Sequence, residues 1–173
     1  MKYFDINELI RCYRAQNRCK GCPLKSCQEL RATVTPEIES NAKALTDMVL
    51  DPARGRLGKA ITVTSCFRCL HHNREIGSAD NSQHVKAMAA DLVCGSAADN
   101  LQLARMIVAG GNWDQMILED VKPGSLEPRW VHVSWKRNGA NRREVRKKVV
   151  GRIGYPMLSP SELAQLKRLK VNG

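Results

Sequence analysis

The segment Ser65-Cys66-Phe67-Arg68-Cys69-Leu70-His71-His72-Asn73 holds a C-x-x-C pair and two of the four histidines in the 173-residue chain. Such a density of sulfur and imidazole suits a soft divalent metal. A second C-x-x-C pair, Cys19 and Cys22, lies in an N-terminal loop with Cys12 and Cys27. Two Cys₄ centres can be drawn from these residues. One joins Cys19 and Cys22 to Cys66 and Cys69, and the other uses Cys12, Cys19, Cys22 and Cys27. Either would make a basic, cysteine-rich zinc module with nucleic acid as partner, although the first pairing exceeds zinc-ribbon spacing.

The other two histidines allow a different chemistry. In the strand-like run Arg129-Trp-Val-His-Val-Ser-Trp135, period-two alternation puts Val131 and Val133 on one face and His132 on the other. The valine face reads as core, so His132 points into whatever cleft the sheet supports. His84 lies in Asn81-SQHVKAMAADL, ahead of Asp91 at the mouth of a strand. The two cannot share a helix face, yet they converge if His84 sits on a loop. Two imidazole nitrogens and a carboxylate oxygen around zinc leave one position open for water, as catalytic zinc sites do.

The elements that would position these residues are partly legible. Residues 2–12 read as a short opening helix and 13–34 as a basic loop broken by Gly21 and Pro23. Thr35-Pro36-Glu37 is a helix start, with Ile38, Ala42, Leu45 and Val49 on one face of a helix from 36 to about 50. Strands are expected over 59–66, 89–94, 114–119 and 129–135, and a helix capped by Ser96 runs to about Val108 before Gly110-Gly111. Ser159-Pro-Ser-Glu162 is a capping box for a C-terminal helix. This order points to one α+β domain over 1–173: a small antiparallel sheet of about four strands flanked by helices.

Bulk properties narrow the function classes. No apolar run reaches the ~20 residues that span a bilayer. The N-terminus MKYFDINELIRCYR has no secretory h-region, so synthesis in the cytoplasm is expected. Without a signal segment, thiols or a metal site are expected over a disulfide framework. The net charge of +11 attracts polyanions, whether nucleic acid, anionic membrane surfaces or cell-wall polymers. Lys136–Arg152 carries eight basic residues against Glu144 alone. It is either a solvated basic face or an anion-binding surface. No aromatics interleave it, so it offers no stacking platform for single-stranded bases.

Several of these segments together resemble one family. NSQHVKAMAADL is similar to the S-x-H-x-x-G-x-A-x-D motif of the zinc D-alanyl-D-alanine carboxypeptidases, a family that includes phage L-alanyl-D-glutamate endopeptidases. Hedgehog signalling domains share its fold. TSCFRCLHHNREIGSADNSQH resembles the preceding TSGYRSPxxNxxVGGxxxSQH segment, and DQMILE with RWVHVSW resembles the DQLIxE…WVHVS ending. MKYFDINELIR and the 36–58 segment resemble the subgroup found in phages and gut bacteria.

The resemblance implies a zinc peptidase acting on peptidoglycan peptides, with His84, Asp91 and His132 as ligands of one Zn²⁺. It implies Glu119 as general base, Arg68 binding a substrate carboxylate or carbonyl, and Ser82 hydrogen-bonding substrate. A link lengthened to DVKPGSLEP brings in Glu127 as an alternative base. Ala87 replaces the motif glycine, Cys66 and Cys69 replace glycine and serine, and Arg129 stands where some relatives carry an acid. A monomer reaching the wall after release, as a phage lysis enzyme does, is the matching expectation. A non-catalytic binding domain of the same fold is the alternative.

Overall fold

The computed structural model describes residues 1–11 and 27–168. Cys12, Cys19 and Cys22 lie outside the described residues, as do the end of the opening helix and most of the basic loop. That opening helix is confined to α1, Ile6–Leu9, started by a capping box between Asp5 and Glu8. Within the expected loop, Cys27–Ala32 forms α2. Its residues are nearly all good helix formers, and Leu30 gains a place in the core.

Thr35 caps α3, Pro36–Leu45, by accepting from the backbone of Ile38. The helix does not stop near residue 50. It widens into a π-turn over Thr46–Leu50 and continues as α4, Asp51–Leu57, until Gly58 takes a left-handed conformation. Pro52 lacks an N–H for the ordinary α ladder, and the wider turn carries the chain past it.

The sheet has five strands: β1 Thr62–Ser65, β2 Ala89–Val93, β3 Gln115–Val121, β4 Trp130–Ser134 and β5 Glu144–Val149. Their order is β1-β2-β4-β3-β5, antiparallel except that β5 joins β3 in parallel. This is the expected α+β architecture with one strand more, and that strand lies in the basic segment. Its charges hide the alternation that buries Val145 and Val149. Arg146 pairs with Glu144, and Lys147 with Glu162.

Between β1 and β2 lie α5, Leu70–Glu75, and a 3₁₀ turn, Gln83–Lys86. Ser96 opens α6, Ala97–Gly110, with a capping box to Asp99, and Ser159 opens α7, Pro160–Lys167, in the same way. One sheet face is core: Ala90, Leu92, Met116, Leu118, Val131 and Val133 are fully buried there. The other face is left for the site. Among the described residues no helix is long and apolar enough to cross a membrane.

Candidate metal centre and cleft

Strand pairing places the first residues of the site. Asp91 on β2 stands beside His132 on β4, and Ile117 on β3 flanks His132 on the other side. All three occupy the face opposite the valines, where alternation puts His132.

His84 arrives on the 3₁₀ turn, which is held from several directions. Ser82 Oγ accepts from the His84 N–H at 3.3 Å. Asn41 on α3 donates to the Lys86 carbonyl at 3.1 Å, and the Arg68 N–H donates to the His84 carbonyl at 3.1 Å. Gln83 Nε2 donates to buried Asp114 at 3.1 Å. The turn ends at Ala87 in the left-handed region, φ 53°. A side chain there costs about 1–2 kcal/mol of steric strain, which is why a glycine suits this motif position.

His84 Nδ1 lies 2.7 Å from the Cys66 carbonyl, so it is the protonated nitrogen and Nε2 turns its lone pair inward. Nε2 is 3.2 Å from His132 Nδ1 and 3.4 Å from Asp91 Oδ1, and His132 Nδ1 is 2.9 Å from that oxygen. One donor atom from each residue fits within 4.8 Å of the others. Burial pushes the His84 pKa down, which keeps the imidazole neutral and its lone pair available. Burial works against ionising Asp91, but the two histidines outweigh it and hold the carboxyl well below its usual range. Two imidazoles and one carboxylate, converging at this spacing, could hold a metal ion.

The sequence profile of the family described as Peptidase M15 matches residues 2–134, most of the chain. The chain belongs to the peptidase M15 family. No curated protein matches it.

An M15 peptidase needs groups around the metal-binding residues that can handle a peptide, and a cleft of about 590 Å³ holds several. Glu119 lines it with His84, Asp91 and His132 and is only 8% exposed. Burial pushes the Glu119 carboxyl up to about 7. His132 opposes the rise, and the charges of Asp91 and Asp120 add to it. Arg68 and Ser82 also line the cleft. The Arg68 guanidinium is ion-paired with Asp91 Oδ2, and its Nε donates to Ser65 Oγ at 2.8 Å. It therefore braces the Asp91 carboxylate as well as facing the cleft.

Glu127 is exposed on the β3–β4 link, outside the cleft lining, where its N–H donates to Ser125 Oγ at 3.0 Å. Among the described residues, Cys66 and Cys69 lie outside the group formed by His84, Asp91 and His132. The Cys66 thiol is fully buried, and burial pushes its pKa up to about 12. Cys69 caps α5 by accepting from the His72 N–H at 3.5 Å. His72 is buried on α5. Beside it Asn73 donates to the Ser78 and Ala79 carbonyls at 3.2 and 2.8 Å, which folds the loop leading to Ser82.

Sequence reasoning misses three further residues. Tyr155 and Trp130 line the cleft. Asp114 is fully buried and bound by Arg142 at 2.8 Å, Lys136 at 3.1 Å and Gln83. Asp114 does open the DQMILE segment, but nothing in that segment announces its distant partners.

Proposed function

We propose that the chain is a zinc metallopeptidase that hydrolyses peptide bonds in bacterial peptidoglycan stem peptides or cross-links. The observation that carries this is the convergence of His84, Asp91 and His132 in a cleft that also holds a buried glutamate, in a member of the M15 family. His84 through Nε2, His132 through Nδ1 and Asp91 through Oδ1 would hold the ion. Zinc supplies Lewis acidity: it polarises a carbonyl and brings the pKa of water toward ~7.

Glu119 acts as general base. A carboxyl poised near neutrality takes a proton from the attacking water and returns it to the leaving amine, as efficient acid–base catalysis requires. Its buried position beside His132 favours it over exposed Glu127. Arg68, fixed on Asp91 and Ser65, presents its guanidinium edge to a substrate carbonyl, and Ser82 hydrogen-bonds the peptide while capping the His84 turn. The surplus of positive charge assists adhesion to an anionic wall.

The test measures bound zinc and cleavage of peptidoglycan peptides for the wild type, His132→Ala and Glu119→Gln. The expected outcome is zinc loss in His132→Ala, and zinc retained without cleavage in Glu119→Gln. Full activity in both variants refutes the metallopeptidase mechanism. Zinc binding without cleavage of any peptide by the wild type favours a binding domain of the same fold.

A further inference from the structure

His84, Asp91 and His132 all line one of two adjoining cavities on the same sheet face, and Asp91 borders the second as well. One is the cleft already described, about 590 Å³, running toward Gln83, Gln115 and Tyr155. The second, about 700 Å³, runs the other way, past Thr64, Val93, Asp120, Arg129 and His72. Arg68, Ile76, Asp91 and Trp130 border both. Val93 and Trp130 lie two residues along their strands from Asp91 and His132, so the second cavity continues the face on which the metal-binding residues stand.

From this geometry, and resting on the peptidase assignment above, we infer that the enzyme cuts inside its peptide substrate rather than releasing a C-terminal residue. A bound peptide has room for residues on both sides of the scissile bond, at ~3.3 Å per extended residue. A carboxypeptidase instead needs a cation committed to the terminal carboxylate just beyond the metal. Among the described residues, Arg68 is the one lysine or arginine lining the first cavity, and it is ion-paired with Asp91. The second cavity adds Arg129, which lies 3.9 Å from Asp120.

A backbone irregularity serves this second cavity. The β3 register shifts between Leu118 and Val121, and Asp120 takes a left-handed conformation, φ 53°. Bulges of this kind re-aim side chains beside active sites. Here consecutive residues line different cavities: Glu119 the first and Asp120 the second.

The zinc-loaded full chain is incubated with stem peptides in three forms: free at the C-terminus, C-terminally amidated, and both N-acetylated and amidated with extension on each side. Products are read by mass spectrometry. Internal cleavage of the amidated and doubly blocked peptides is expected. Val93→Trp, which fills the second cavity, is expected to keep its zinc and lower kcat/KM on extended peptides by about tenfold or more, with a smaller effect on short ones. Release of the terminal residue from free-carboxylate peptides alone overturns this inference and leaves the peptidase assignment standing. No cleavage of any peptide overturns both. The wild-type arm decides the matter if the tryptophan variant fails to fold.

Discussion

Glu119 lowers the stability of the metal-free protein, and the cost depends on pH. Its carboxyl rises from the usual 4.5 to about 7 because it is buried. A raised carboxylate pKa means that the folded state binds the proton more tightly than the unfolded chain. Between pH 4.5 and about 7 the folded state therefore carries more protons, and stability falls as pH rises through that window. At 1.36 kcal/mol per tenfold change, the loss is about 3 kcal/mol once both states are ionised. Glu119→Gln removes the titration while keeping the shape. The metal-free variant is expected to exceed the wild type by about 3 kcal/mol near pH 8.5, and by under about 1 kcal/mol near pH 5. Urea unfolding of the stripped proteins at both pH values measures this difference. A gain of the same size at the two pH values refutes the argument, because a packing effect does not titrate. Saturating zinc should shrink the gain at high pH, since a nearby cation favours the ionised carboxylate.

Three other perturbations follow from the structure. Asp114→Asn should cost about 1–3 kcal/mol at neutral pH, because it weakens the charge-assisted contacts of Lys136 and Arg142, cations that remain partly solvated. Burial opposes ionisation of Asp114, but hydrogen bonds from Arg142 and Lys136 outweigh it and hold its pKa down. Its contribution is therefore full above the ordinary value of 3.8 and lost as pH falls below it, visible as a shallower acid-unfolding curve in the variant. Arg68→Ala should weaken zinc affinity by about 10–100-fold in a chelator competition, through loss of its grip on Asp91. Cys66→Ala should keep full zinc stoichiometry and lose only about 1 kcal/mol in thermal unfolding, whereas a cysteine-held ion would be lost.

Local signals were legible where chemistry acts over a few residues. The caps at Thr35, Ser96 and Ser159 each depend on one hydroxyl and one nearby N–H, and all three form. The alternation around His132 is equally local, and it placed the imidazole on the cleft side. What escaped notice depends on distant pairing. β5 reads as a charge run because its lysines and arginines find Glu144 and Glu162 only after folding. Its parallel union with β3 needs a crossover that no short pattern encodes. The prominent C-x-x-C at Cys66 illustrates the same limit. Donor density along the chain says little about which way groups point, and Cys66 presents its carbonyl to His84 Nδ1.

The burial of Asp114 bears on where this protein can be divided. The family match ends at residue 134, yet both cations that neutralise Asp114 come from beyond that point, and Asp114 in turn steadies Gln83 beside His84. A chain cut after residue 134 keeps His84, Asp91 and His132 and leaves the interior Asp114 carboxylate without either cation. The matched portion thus lacks both cations that neutralise Asp114. The basic segment is thus one of the supports of the turn that presents His84, acting through Asp114 and Gln83, so a transplant of the centre that keeps this support carries residues 135–142 with it.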